Sequence, residues 1–175
     1  MTTKLFLVIG VLQALALSQI AQADEPKCFD WPVTDRSAQV GQRFHDTRPE
    51  YRRGRRKLGL SGPHDGLDII VPASTILYAV ADGVVVMAGP DEFGANVILV
   101  RTSFGPAYLF GHLSSMTRKA GDQVHRGDIL GFSGGVPGAY GSGPYTTGAH
   151  LHFGAFDSAG RDIDPVPLFC RDAKR

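Results

Sequence analysis

AHLHFGA, residues 149–155, follows a glycine-rich loop and places two histidines one residue apart. In a β-strand successive side chains point to opposite faces of the sheet. His150 and His152 therefore share one face, and Leu151 points to the other. The segment predicts a strand that is anchored by an apolar side chain and carries two imidazoles side by side.

Six further runs have the same strand-like character, because they are rich in valine and isoleucine and are separated by glycine, proline, aspartate or serine. They are LDIIV (67–71), ILYAV (76–80), GVVVMAG (83–89), NVILVRT (96–102), AYLFGH (107–112) and DILGFS (128–133). RTSFGPAY, residues 101–108, is typical of a hairpin connection. Helical periodicity exceeds a turn or two only around residues 114–119. The pattern predicts a mainly β domain, folded as a compact antiparallel β-sheet sandwich or partly open barrel.

The first 23 residues have the form of a cleaved secretory signal. A short cationic start precedes the apolar stretch LFLVIGVLQALAL, and SQIAQA ends in a small-x-small pattern. The apolar stretch is shorter than the ~20 residues that span a bilayer, so we expect no stable membrane anchor. We expect a periplasmic or secreted protein with three parts: the signal (1–23), an N-terminal segment that wraps over the sheet (24–60) and the main domain (61–175).

Charge and cysteine content limit the possible partners. Without residues 1–23 the chain has 17 basic and 17 acidic residues, which argues against a nucleic-acid-binding protein. The basic run RPEYRRGRRK, residues 48–57, is interpreted as a solvated face, with attraction of an anionic polymer as the alternative. Cys28 and Cys170 lie near opposite ends of the exported chain, and this placement predicts a disulfide between them.

A second polar motif, GPHDGLDII, places His64 and Asp68 four residues apart. In an extended segment these side chains share a face, and Gly66 between them leaves room for an ion. Two imidazoles and a carboxylate with one open position are typical of a catalytic zinc site. HxxxD alone is weak evidence and HxH alone is moderate evidence, but the two together are far more specific than either.

These motifs resemble those of the lysostaphin/LytM-type zinc endopeptidases. HDGLDI, AVADGVV, YLFGHLS, GDQVHRGDILGFSG and TGAHLHF follow one another in the order of that family, from about residue 62 to residue 153. The resemblance implies one zinc per chain in a groove floored by an antiparallel sheet, with His64, Asp68 and His152 as ligands. It also implies that His112 and His150 are catalytic and assist a zinc-activated water in hydrolysing peptidoglycan cross-links or glycine bridges. We expect a monomer.

The chain departs from the family pattern in the loop between residues 131 and 150, which is longer than the usual glycine turn. Long loops in compact domains are often functional, so Tyr140 and Tyr145 are candidates for a substrate groove. The alternative function is a catalytically weak LytM-like domain that binds peptidoglycan or activates a partner hydrolase. The hairpin-like GDQVHRGDILG is also similar to biotinyl and lipoyl carriers, but it has no lysine to carry a cofactor.

Overall fold

The computed structural model describes residues 26–172, so the predicted signal segment lies outside the described residues. The described chain contains ten strands, one α-helix and a short 3₁₀ turn at Val166–Leu168. In chain order the elements are β1 (Val40–Gln42), α1 (Pro49–Lys57), β2 (Gly66–Ile69), β3 (Ile76–Tyr78), β4 (Gly83–Pro90), β5 (Asn96–Thr102), β6 (Ala107–Gly111), β7 (Leu113–Met116), β8 (Gln123–Val124), β9 (Ile129–Ser133) and β10 (Leu151–Phe156). Within the described residues, no helix is long and apolar enough to cross a bilayer.

Seven strands form one antiparallel sheet in the order β1-β2-β10-β6-β5-β4-β8, and β3-β9-β7 form a smaller one. The larger sheet ends at β1 and β8, so these strands do not close into a barrel. The predicted mainly β, antiparallel class is confirmed, and each of the seven strand-like runs contains a strand.

The core lies against one face of the larger sheet. Leu151 and Phe153 of β10 are fully buried, as are Leu67 and Ile69 of β2, whereas His152 between them lies on the other face. Phe29 extends this core, with T-shaped ring contacts to Tyr108 and Phe153 at 5.5 and 6.1 Å. The alternation read from AHLHFGA thus separates an apolar core from a polar face.

The ends of the described chain meet beside this core. Cys28 and Cys170 form the predicted disulfide, with a Cα–Cα distance of 5.1 Å. Phe29 and Phe169 form a parallel bridge, and the Cys170 amide donates to the Phe29 carbonyl at 2.8 Å. Because the bond closes a loop with a sequence separation of 142, the loop-entropy model gives it about 5 kcal/mol of stabilisation at most.

Residues 26–60 contribute an edge strand and a helix. β1 pairs with β2, and α1 follows it. The sequence of α1 has no apolar stripe, and none of its residues is buried. The helix was therefore not predicted. The suggested helical turn at 114–119 is wrong, because residues 113–116 form β7, which pairs with β9.

Candidate metal centre

Strand register brings the two motifs together. Across four neighbouring strands, Gln42 pairs with Asp68, Asp68 with His152, and His152 with Gly111. Side chains of directly opposed residues point to the same face. Asp68 and His152, which are 84 residues apart in sequence, are therefore adjacent on the polar face of the sheet.

Glycine at position 66 is required by the imidazole of His152. A Cβ at Gly66 would lie 3.0 Å from His152 Nε2 and 2.5 Å from the Phe153 carbonyl oxygen. Gly66 does leave room beside Asp68, as the sequence suggested, but that room is filled by the His152 ring. His64 approaches from the segment before β2 and is 3% exposed.

Three atoms with lone pairs converge at this point. His64 Nε2 lies 3.1 Å from Asp68 Oδ1 and 3.2 Å from His152 Nδ1, and the latter two atoms are 3.0 Å apart. A tetrahedral site with bonds of about 2.0 Å has edges of about 3.3 Å, so these distances fit a zinc ion. Two nitrogens and one carboxylate oxygen are also a donor set that zinc accepts. His64, Asp68 and His152 thus form a group able to hold a metal within the described part of the chain.

A backbone carbonyl sets the tautomer of His64. Its Nδ1 lies 3.0 Å from the Arg43 carbonyl oxygen, which can only accept a hydrogen bond. Nδ1 therefore carries the proton and Nε2 presents its lone pair toward Asp68 and His152. His152 faces the cluster with Nδ1 instead, and its Nε2 lies 3.6 Å from Asp65 Oδ1.

The charges of the cluster are strongly coupled. Burial raises the pKa of the Asp68 carboxyl, but the adjacent imidazoles of His152 and His64 more than offset it, and the pKa lies well below its ordinary value. Burial lowers the pKa of His152, but the hydrogen bond to Asp68 prevails and the pKa is raised. His152 Nδ1 lies within hydrogen-bond distance of Asp68 Oδ1, at 3.0 Å. Binding of a metal cation by both atoms would require His152 Nδ1 to be unprotonated.

Two more histidines lie beside the cluster. His112 and His150 have ring centroids 4.8 Å apart, and His150 Nε2 lies 3.6 Å from Asp68 Oδ1. His112 Nδ1 donates to the Ser142 carbonyl and His150 Nδ1 to the Gly148 carbonyl, each at 2.7 Å. Each ring therefore keeps a free lone pair on Nε2.

His112 is held neutral and in an uncommon backbone conformation. Burial, followed by the charges of His152 and His150, lowers its pKa to about 4. Its φ of 60° lies in the left-handed region, which costs a residue with a side chain about 1–3 kcal/mol. Such strain is common where a side chain has to be presented to a functional site.

The six histidine and aspartate residues named above all line a groove of about 660 Å³. Its other walls include two exposed apolar side chains next to the strands: Ile70, which follows β2, is 50% exposed, and Phe93, in the connection between β4 and β5, is 52% exposed. Tyr145 lines the groove and contacts the Phe93 ring at 5.2 Å. Tyr140, the other tyrosine considered from sequence, is 81% exposed and lies outside the groove lining.

The glycine-rich loop is fixed to the sheet through Asn96. Its backbone amide donates to the Gly141 carbonyl at 2.8 Å, and its buried Nδ2 donates to the Leu113 carbonyl at 3.1 Å. This anchor holds Ser142 against His112. Sequence reasoning missed it, together with the carbonyls of Arg43, Ser142 and Gly148, because no side-chain pattern marks a backbone acceptor.

An antiparallel sheet that carries two imidazoles and a carboxylate at an open groove, with two further imidazoles beside them, is typical of a metallopeptidase. Comparison with known proteins also indicates a peptidase. The sequence model of peptidase family M23 matches residues 62–165. The chain belongs to this family.

Named relatives include two curated enzymes. The chain is 33% identical over 105 residues to the DD-carboxypeptidase/endopeptidase Mpg of Neisseria meningitidis, covering 60% of this chain and 22% of that protein. It is 35% identical over 106 residues to the glycyl-glycine endopeptidase ALE-1 of Staphylococcus capitis, covering 59% and 27%. The match thus spans well under half of either relative.

A solved relative has the same fold. The catalytic domain of lysostaphin from Staphylococcus simulans is 28% identical with a TM-score of 0.60, and the alignment covers 75% of this chain and 91% of that domain.

Proposed function

We propose that this protein is a zinc-dependent endopeptidase that hydrolyses peptide cross-links or bridges of bacterial peptidoglycan. The observation that carries the proposal is the convergence of His64 Nε2, Asp68 Oδ1 and His152 Nδ1 within 3.2 Å of one another at the groove. Membership of family M23 and the names of the two curated relatives support the substrate class.

The proposed ligands are His64, Asp68 and His152, which hold one zinc per chain. Zinc in such a site supplies a Lewis acid and lowers the pKa of water to about 7. Asp68 adds negative charge to the donor set, and the Arg43 carbonyl keeps the His64 ring in the tautomer that binds metal.

We assign His112 and His150 to proton transfer and to stabilisation of the reacting peptide. Both rings present Nε2 with a free lone pair, since their Nδ1 protons are held by backbone carbonyls. His112 is neutral at pH 7 because of its lowered pKa, so its Nε2 is able to accept a proton there. Once protonated, the same nitrogen is able to donate to the leaving amine or to the oxygen that gains charge.

The cellular setting is proposed from residues 1–23 and from the disulfide. A leader followed by a Cys28–Cys170 bond fits a protein that folds in an oxidising compartment, either the periplasm or the exterior. We assign residues 24–60 to a segment that covers the domain and 61–175 to the peptidase domain itself.

Hydrolysis of purified sacculi tests the proposal. Two preparations are needed, one cross-linked directly through D-alanyl bonds and one through glycine bridges, with released fragments identified by mass. We expect new amino termini from one of the two when zinc is present, and none after exhaustive chelation. Metal-loaded protein that binds sacculi but releases no fragments from either would favour the binding or partner-activating alternative.

A further inference from the structure

The helix α1 divides its residues between two faces. Tyr51, Gly54 and Arg55 line the groove, and so do Glu50 and Leu58 on either side of them. Arg52, Arg53, Arg56 and Lys57 occupy the opposite face and are exposed. We call these four residues the basic rim.

Arg55 ties the helix to the metal centre. Its Nε donates to the Gly62 carbonyl at 3.1 Å and its terminal nitrogen to the Pro63 carbonyl at 2.9 Å. These carbonyls belong to the two residues before His64, so the helix is fixed beside the proposed metal ligand. The basic rim therefore lies at a defined place on the outer face of the helix whose inner face lines the groove.

The charges of the basic rim are not balanced within the described chain. None of its four side chains has an ion pair or a hydrogen bond there, whereas Arg48 pairs with Asp46 and Arg126 with Asp30. Arg52 and Arg56, like Arg53 and Lys57, are four residues apart, a spacing at which like charges repel. A dense external anion would relieve this repulsion.

The occupant is argued from charge and from the shape of the helix. A helix that lies in a membrane surface needs a wide apolar face, and the only large apolar side chain of α1 is Tyr51, which lines the groove. A hydrated polymer with repeated carboxylates fits the basic rim better, and the stem peptides of peptidoglycan carry such carboxylates. A strand held at the basic rim would leave its neighbouring peptide over the groove.

We infer that the basic rim binds free carboxylates of the peptidoglycan mesh and thereby holds the substrate strand beside the groove. This inference rests on the proposed function, because it takes peptidoglycan as the substrate. It adds a second contact surface, separate from the proposed metal ligands, that acts through charge and depends on ionic strength.

Co-sedimentation with two forms of the same sacculi tests the inference. One form is native, and in the other the free carboxylates are converted to amides, which removes their charge and keeps the peptide linkages. The rim variant is Arg52→Gln/Arg53→Gln/Arg56→Gln/Lys57→Gln. The matched control is Lys27→Gln/Arg101→Gln/Lys119→Gln/Arg171→Gln, which removes four exposed charges outside the groove lining.

At low salt we expect wild-type protein and the control variant to bind native sacculi about tenfold or more tightly than amidated ones, since four modest contacts act together. The rim variant should bind both forms equally, at the level of amidated sacculi. Replacing the three rim arginines with lysine should restore the preference. Circular dichroism and zinc content should be unchanged in every variant, because the four side chains are exposed.

Three results would overturn the inference: a rim variant that keeps the wild-type preference, a control variant that loses it equally, or equal binding to phosphatidylglycerol vesicles of matched charge density. Warming the same samples separates this inference from the proposed function. Preference for native sacculi without released fragments contradicts hydrolysis and supports the basic rim. Released fragments without any preference contradict the basic rim alone.

Discussion

His112 donates a hydrogen bond from Nδ1 to the backbone carbonyl of Ser142, 2.7 Å away and 30 residues further along the chain. The bond joins a histidine at the end of β6 to the glycine-rich loop. It fixes which ring nitrogen carries the proton and leaves the lone pair on Nε2. The long loop therefore takes part in the site through its backbone.

Alanine substitution at Gly141 should test this role of the loop. Gly141 has a φ of 75°, and a Cβ there would lie 2.3 Å from both Asn96 Nδ2 and the Leu113 carbonyl oxygen. The loop must move, so we expect turnover to fall by ~10–100-fold while zinc content stays near one per chain. Gly138→Ala is the matched control, because its φ is 76° and no atom lies within 4 Å. Equal turnover in the two variants would contradict the role.

Two classes of inactive variant are expected around the metal. Alanine at His64, Asp68 or His152 leaves two protein donors, so zinc content and turnover should both collapse. Alanine at His112 or His150 keeps all three donors, and turnover should fall by ~10²–10⁴-fold with zinc retained. Metal analysis beside initial rates measures both. Loss of zinc from His150→Ala but not from His152→Ala would reverse the assignment of the pair.

Gly66→Ala should weaken zinc binding without replacing any of the proposed ligands. The added Cβ overlaps the Phe153 carbonyl and the His152 ring, so β2 and β10 cannot keep their spacing. We expect the zinc dissociation constant to rise by at least tenfold and the free energy of unfolding to fall by about 1–3 kcal/mol. Calorimetric titration and chemical denaturation measure these. Gly62→Ala, where a Cβ meets nothing within 4 Å, should behave as wild type.

Removing the disulfide should lower stability and leave the groove in place. Cys28→Ser/Cys170→Ser frees the ends of a closed loop with a sequence separation of 142, and we expect a loss of about 2–5 kcal/mol of unfolding free energy. Urea denaturation of oxidised wild-type protein, reduced wild-type protein and the double variant measures it. The last two should coincide, and zinc affinity at low temperature should match the wild type. An unchanged unfolding midpoint would contradict the expectation.

Local sequence patterns predicted the strands in which apolar side chains recur at alternate positions and bury one face of the sheet. AHLHFGA and LDIIV are strands because Leu151, Phe153, Leu67 and Ile69 bury one face. β1, β7 and β8 were not predicted, since they are two to four residues long and their pairing depends on distant strands. The helix α1 was not predicted because it buries no side chain.

The site was predictable where side chains form motifs and not where the backbone contributes. HxxxD and HxH indicated the cluster, and resemblance to a family assigned roles to His64, His112, His150 and His152. The carbonyls of Arg43, Ser142 and Gly148 set the tautomers, and any residue type could supply them. Their positions follow from the tertiary path of the chain.

The pairing of Asp68 with His152 makes metal binding depend on the correct register of β2 and β10. These two residues are neighbours only when β2 and β10 pair in one register, with Leu151 opposite Ile69 and Phe153 opposite Leu67. A slip of a single residue would turn the imidazole toward the core. A chain with that error would lack a donor and would not gain the free energy of zinc binding, which adds to folding only when the site is complete. Zinc would therefore select the one strand alignment in which the groove is able to act.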